Sequence, residues 1–162
     1  MNTHVNTSTF TVVKATKADK KSVLRFYKAQ RYSASYIGQD HCYTVKVDNR
    51  IVASAIVSGG QEADNFWLLH GLVTNKAEQG KGLASLILQT IVNDVNALEK
   101  KRYEKIICFA DSALQQFYKK NQFIKYNTKD EIASLPIEFK QRLTRYREKQ
   151  QSLHCYLYSL NI

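Results

Sequence analysis

Apolar positions along the chain follow two different periods, and the change between them divides it into halves. Residues 10–14 alternate loosely and predict a first strand behind a polar stretch, 1–8, that reads as frayed. Asp19 can cap a helix running to about Gln30, with Val23, Leu24, Phe26 and Tyr27 as its apolar face. The Tyr- and Ser-rich stretch 31–39 carries no assignable period. Two strand-like runs, 42–47 and 51–58, flank the turn residues Asp48-Asn49-Arg50 and predict a hairpin. A second turn over 59–64 leads into a third, strongly apolar run, 65–74, holding Phe66, Trp67, Leu68, Leu69, Leu72 and Val73. These strands predict an antiparallel meander.

The period then becomes helical. Leu83, Ile87, Ile91, Val95 and Leu98 fall on one face of a helix predicted over 80–98, beside Ala84 and Leu88. Lys100-Lys101-Arg102 follows, where cations suit the helix dipole. Residues 106–110 read as a short buried strand, and Asp111 or Ser112 can cap a helix to about Asn121. A brief strand (123–126), a charged amphipathic helix (138–150, apolar at Phe139, Leu143 and Tyr146) and a last strand (153–160) complete the chain. There are no internal repeats and no linker. The expected architecture is one α/β (α+β) domain over 1–162, with a single mixed, mostly antiparallel central sheet flanked by helices and some parallel pairing in its middle.

Composition narrows the class. At 162 residues, 44% hydrophobic and 23% charged, the chain is neither disordered, collagenous nor a coiled coil. Lys and Arg number 24 against 14 Asp and Glu, a net charge of +10 that favours acidic partners: nucleic acid, an anionic membrane surface or a polyphosphate ligand. Cys42, Cys108 and Cys155 are an odd number with no CxxC spacing, which reads as reduced thiols. No apolar run approaches the roughly 18 residues of a membrane span, and the N-terminus has neither a basic nor an apolar leader region. A soluble, cytoplasmic protein without membrane association is expected.

The chemistry concentrates at Gln79-Gly80-Lys81-Gly82-Leu83-Ala84, between a predicted strand and a predicted helix. Two glycines there allow a tight turn that exposes successive N–H groups, and with the first helical turn they form an anion site; a plain strand-to-helix turn would use the same residues. The Walker pattern fails because Gly82 follows Lys81. The dinucleotide pattern fails because Ser85 stands at its third glycine, and because a meander precedes it. The spacing Gln79-x-x-Gly82-x-Ala84 resembles the acyl-CoA pyrophosphate loop, Q/R-x-x-G-x-G/A, of the GNAT N-acetyltransferases. Downstream, the run from Ala113 and Leu114 through Phe117 and Tyr118 to Phe123 is similar to that family's A-L-x-x-F-Y-x-x-x-G-F segment, with Gln122 where glycine is usual. The likeness extends over about 10–126 in element order and is sharpest over 69–123.

That resemblance implies acetyl-CoA as co-substrate. It implies two diverging central strands, with pantetheine amides pairing to the backbone of Leu72, Val73 and Thr74; Thr74 stands where Val is commoner. It sets the pyrophosphate against the amides of Gly80, Lys81, Gly82, Leu83, Ala84 and Ser85, behind Gln79, with the helix dipole and Lys81 opposing its charge. Tyr118 stands where the family's thiolate-protonating Tyr sits. A phenol of reference pKa about 10 is neutral at pH 7 and can donate; without the motif, Tyr118 reads as a packed core ring. Leu69-His70-Gly71-Leu72 is similar to the arylalkylamine N-acetyltransferases, where a His at this spacing serves the proton path, and an imidazole can take a proton near neutrality. The plainer reading of His70 is a residue hydrogen-bonded within the sheet. Asp111 is expected beside the bound cofactor and reads as a helix cap rather than a catalytic acid. Cys108 reads as a small core residue before a covalent nucleophile. His41-Cys42 and His154-Cys155 repeat a pair whose members point to opposite strand faces, so each supplies at most one metal ligand easily.

The resemblance also sets the acceptor between 31–41 and about 128–151, with Tyr32 and Tyr36 as walls and Asp40, Asp130 and Glu131 as candidate carboxylates for a cationic amine. The expected reaction is acetyl transfer to the primary amine of a small molecule or peptide by direct attack in a ternary complex, by a monomer or homodimer. Two other readings stand beside it. Some similar acetyltransferases act on aminoacyl-tRNA, which the basic charge permits, but no nucleic-acid-binding motif is present and the charge is dispersed, so nucleic acid is not favoured. A catalytically silent acyl-CoA-binding module would also keep these motifs.

Overall fold

The computed structural model describes residues 10–34, 40–60, 65–95 and 100–160; Tyr36, the turn residues 61–64 and Leu98 fall outside them. Seven strands form a mixed sheet in the order β1-β2-β3-β4-β5-β7-β6. They are β1 (Val12–Lys14), β2 (His41–Val47), β3 (Arg50–Gly59), β4 (Phe66–Thr74), β5 (Lys105–Asp111), β6 (Ile124–Lys125) and β7 (Leu153–Ser159). The helices are α1 (Lys20–Ala29), α2 (Leu83–Asn93), α3 (Gln115–Lys120), α4 (Lys129–Ala133) and α5 (Ile137–Lys149). β4 and β5 are parallel; β1–β2, β2–β3, β5–β7 and β6–β7 are antiparallel. Two compact units make up the chain, Met1–Val57 with Gly71–Asn93, and Ser58–His70 with Asp94–Ile162.

In the first unit, β2 and β3 meet through a two-residue turn in which Asp48 (φ 50°) and Asn49 (φ 64°) are both left-handed, the conformation a tight hairpin needs and Asp and Asn tolerate. Helix α1 buries Val23, Phe26 and Tyr27 against Cys42 and Ile56, the i, i+3, i+4 stripe of an amphipathic helix. Its Tyr27 hydroxyl donates to the Gly71 carbonyl at 2.7 Å in a buried setting. Gly71 itself has φ 64°, and a Cβ there would stand 3.1 Å from the Tyr27 hydroxyl and 3.2 Å from its ring. Helix α2 begins at Leu83, three residues later than its apolar pattern suggests, because Gly80 (φ 85°) and Gly82 (φ 79°) are left-handed and cannot join a right-handed helix. It buries Leu83, Ile87, Leu88, Ile91 and Val92 and ends at Asn93, so Val95, expected on the same apolar face, lies past the helix and is exposed.

In the second unit, ladder register sorts side chains onto two faces. Leu68 pairs Ile107 and Ile107 pairs Leu157, so these three share one face, where Cys155, Leu135 and Phe139 complete a core under α5. Cys108 pairs Tyr156 on the opposite face, where Tyr118 of α3 stacks on Tyr156 with Phe123 at its edge. Helix α4 has no counterpart in the hydrophobic pattern. It exists through a capping box: Thr128 Oγ1 accepts from Glu131 N at 3.2 Å, and Glu131 Oε1 accepts from Thr128 N at 3.0 Å.

Gln122 keeps the turn that the family's segment makes with glycine, at φ 74°, with its side chain exposed. A left-handed backbone at an L-residue is strained, so Gln122→Gly is expected to stabilise the chain by about 1 kcal/mol, less part of glycine's larger unfolded-state entropy. Thermal denaturation should show Tm rising by about 2–4 °C, and a fall would mean that the Gln122 side chain holds the turn.

Candidate active site

The β4–β5 ladder runs from Phe66/Lys105 to Leu69/Cys108, while β4 continues to Thr74 and β5 to Asp111. Leu68 and Leu69 are fully buried, yet Leu72, Val73 and Thr74, further along the same inner strand, are only half-buried. The left-handed Gly71 separates the two stretches. A positive φ inside a strand interrupts the pleat, so the strand beyond it no longer presents its edge as the first half does.

Past Thr74 the chain makes a single helical turn (Lys76–Glu78) and enters the glycine loop. Gln79 Nε2 donates to the Thr74 carbonyl at 3.2 Å, tying the loop back to the strand end. A Cβ at Gly80 or Gly82 would meet nothing within 4 Å, so backbone conformation, rather than packing against the protein, requires glycine at both. The first helical bond joins Leu86 N to the Gly82 carbonyl, so the amide-bearing, positive end of the α2 dipole opens at Gly82, Leu83, Ala84 and Ser85. Lys81 Nζ lies 2.8 Å from Glu78 Oε2. The lysine expected to oppose a phosphate's charge is thus paired with Glu78.

Tyr118 lies in the second unit, buried and enclosed by aromatics. Its ring stacks on Tyr156 at 5.1 Å and 12°, and meets Phe117 and Phe123 edge-on at 5.0 and 5.6 Å. Its hydroxyl is hydrogen-bonded to the Cys108 thiol. Burial, reinforced by Cys108, raises the Tyr118 pKa well above the usual phenol value, so the residue is a neutral donor throughout the physiological range. Burial likewise raises the Cys108 thiol, which stays protonated and is no ready nucleophile.

His70 follows Leu69 on β4, so alternation turns it to the face of Leu68 and Ile107, opposite to that of Cys108. Its Nε2 is hydrogen-bonded to Ser58 Oγ at 3.0 Å. Burial first, and the Arg142 charge second, push its pKa down to about 4, below the near-neutral value of an ordinary imidazole. The ring is thus uncharged and able to accept at pH 7, but it is a weaker base than the sequence suggests.

Asp111 caps the turn before α3: its carboxylate accepts from Ala113 N at 2.8 Å and from Ser152 Oγ at 2.7 Å, and these bonds lower its pKa. Among the residues expected to line the acceptor, Tyr32 packs on Tyr27 at 5.4 Å, Asp130 lies in the first turn of α4, and Glu131 is committed to its capping box. Cys42 Sγ contacts Ser54 Oγ at 3.4 Å, and burial pushes its thiol up to about 11 and that of Cys155 up to about 12. Among the described residues no three His, Cys, Asp or Glu side chains are grouped to hold a metal. Sequence reasoning does not single out Tyr156; the alternation of His154, Tyr156 and Tyr158 along β7 is the one signal that could have placed it on a shared face.

Solved structures resemble this fold at low identity. Escherichia coli ElaA matches with a TM-score of 0.66 at 10% identity, over 93% of this chain and 99% of its own. N-acetylglutamate synthase from Neisseria gonorrhoeae, complexed with coenzyme A and N-acetyl-glutamate, matches with a TM-score of 0.64 at 14% identity over 93% of this chain. This chain spans only 35% of that synthase. The ribosomal-protein-S18-alanine N-acetyltransferase from Escherichia coli matches with a TM-score of 0.62 at 12% identity, over 93% of this chain and 94% of its own. At these identities the likeness shows the fold. No curated protein sequence matches the chain. Among the described residues no helix is long and apolar enough to cross a membrane. The acetyltransferase (GNAT) domain family model matches residues 38–125, more than half of the sequence, and the chain therefore belongs to the GNAT family of acetyl-CoA-dependent acyltransferases.

Proposed function

We propose that the chain moves an acetyl group from acetyl-CoA to the primary amine of a small molecule or peptide, by direct attack, with Tyr118 as acid and His70 as base. The observation that carries this reading is the second half of β4: an inner strand whose ladder to β5 stops at Leu69/Cys108 and whose Leu72, Val73 and Thr74 remain half-buried. Backbone amides and carbonyls of an inner strand are costly to leave unpaired. Pantetheine carries two amides of matching chemistry, so Leu72, Val73 and Thr74 hold it by strand-like bonds. The open glycines Gly80 and Gly82 admit the pyrophosphate, and the α2 dipole at Leu83, Ala84 and Ser85 offsets its charge.

Acetyl transfer needs the amine to lose a proton and the departing thiolate to gain one. Tyr118, held neutral by burial, keeps its proton for the sulfur. His70, also held neutral by burial, takes the amine's proton directly or through water. Donation from a phenol well above its usual pKa is favourable because the alternative is a free thiolate in the same dry surroundings.

Calorimetry with acetyl-CoA tests the foundation: the unaltered chain should bind, and Gly82→Val should weaken binding at least tenfold by closing the approach to the loop. Failure of the unaltered chain to bind sinks the proposal. Once an amine and peptide panel, read by thiol release, identifies an acceptor, Tyr118→Phe should lower kcat by roughly 10²-fold with the KM for acetyl-CoA little changed. An unaffected kcat would return Tyr118 to a packing role.

His70 gives a pH signature. Its folded pKa of about 4 lies below the 6.5 of the unfolded chain, so between those values the unfolded chain binds the extra proton. The neutral-His contribution is complete above pH 6.5 and is lost as pH falls towards 4. Urea titrations at pH 7 and pH 5 should show the unaltered chain losing about 2 kcal/mol more than His70→Gln. Equal losses would mean that His70 is not held neutral by its surroundings. In the rate profile, the acidic limb of the unaltered enzyme should fall near pH 4 and change in His70→Gln.

A further inference from the structure

The proposed mechanism leaves one buried polar group unused. Tyr156 is 1% exposed, and its hydroxyl has no hydrogen-bond partner among the described residues. A buried hydroxyl without a partner is uncommon and costly, so its persistence calls for a reason. Three observations fix where it stands. Tyr156 pairs with Cys108 in the β5–β7 ladder, and opposed residues of an antiparallel pair share a face. Cys108 is also the last β5 residue laddered to β4. The Tyr156 ring lies 5.1 Å from that of Tyr118 and within 12° of parallel, and the Tyr118 hydroxyl is itself bonded to Cys108. Two phenols and a thiol are thus gathered on one face of β5 and β7, level with the point at which the β4–β5 ladder ends. Tyr118 has a partner there and Tyr156 has none. Burial raises the Tyr156 pKa, with Cys108 and Asp111 adding to it, so its hydroxyl keeps its proton and is available as a donor.

We infer that Tyr156 is a second hydroxyl donor of the reacting centre, whose unsatisfied O–H takes the thioester end of acetyl-CoA as its partner beside Tyr118. The inference rests on the acetyl-CoA reading above. No bond is made or broken at Tyr156: it holds the sulfur–carbonyl end by a hydrogen bond while Tyr118 supplies the proton. The same stack on Tyr118 fixes the ring, so the hydroxyl is preorganised and loses little freedom on binding.

The test is Tyr156→Phe, which keeps the ring and its stack. Because the deleted hydroxyl has no partner in the free protein, Tm should be unchanged or slightly raised. Calorimetry should show about tenfold weaker binding of acetyl-CoA, and unchanged binding of desulfo-CoA, which shares every other group but lacks the sulfur and acetyl. Tyr118→Phe, run in parallel, should leave that affinity pattern in place, since its effect lies in turnover. Equal weakening for both ligands, or none for either, overturns the inference. A fall in Tm with both affinities intact overturns it as well, by showing that the hydroxyl bonds a structural water. If the unaltered chain binds desulfo-CoA and acetyl-CoA equally well, the thioester end has no dedicated donor and Tyr156 is excluded while the cofactor site stands. If it binds neither, the cofactor reading fails and the inference with it. Spectra of the unaltered chain carrying 13C-labelled tyrosine give an independent reading: one ring signal should move with acetyl-CoA and stay still with desulfo-CoA.

Discussion

The hydrogen bond from Tyr27 to the Gly71 carbonyl governs much of what β4 can do. A strand turned left-handed at one residue exposes a carbonyl that its neighbours no longer face, and in a buried setting that group must find a donor. Tyr27 is that donor, and its ring leaves so little room beside Gly71 that a side chain there would press on it. Conformation and space therefore select glycine together. The consequence is a strand with two characters. Up to Leu69 it is sealed into a parallel ladder; from Leu72 to Thr74 it lies beyond that ladder and is only half-buried. Losing the Tyr27 donor would leave a buried carbonyl unsatisfied, at a cost of about 1–3 kcal/mol.

A second constraint is dryness. His70, Tyr118 and Cys108 are shifted in whichever direction keeps them uncharged, the imidazole down and the phenol and thiol up, with burial as the leading cause in each. The groups to which proton transfer is proposed are thus neutral at pH 7, although the chain carries a net charge of +10 and the Arg142 charge reaches His70. In such surroundings a hydrogen bond is strong and a missing one is expensive, which is why the partnerless Tyr156 hydroxyl stands out.

Much of the fold was legible because local chemistry and tertiary need agreed. The Asp48-Asn49 hairpin, the α1 stripe and the α2 stripe as far as Ile91 follow from residues close in sequence, whereas the insertion of β7 between β5 and β6 does not. Helix α2 starts three residues later than its apolar period predicts because such a period cannot register backbone sign; the positive φ of Gly80 and Gly82 sets the boundary. Helix α4 escaped a hydrophobicity-based reading because its signal was a cap, Thr128 to Glu131. The lowered pKa of His70 was illegible for a different reason. Its partners, Ser58 and Arg142, are 12 and 72 residues away, and burial is a property of the assembled unit. The motif around Tyr118 was readable, but the stack on Tyr156 joins residues 38 apart and needed the ladder to reveal it.

The three cysteines carry a practical corollary. Cys42 belongs to the first unit, Cys108 and Cys155 to the second, each is enclosed, and each thiol is held protonated by its surroundings. An alkylating reagent needs both access and the thiolate, so these sulfurs react only through openings of the strands that carry them. The chain thereby contains its own reporters of fluctuation: the labelling rate at Cys42 tracks the breathing of β2, and the rates at Cys108 and Cys155 that of β5 and β7. Ligand protection of one thiol and not another would map, strand by strand, which part of the sheet a bound substrate steadies.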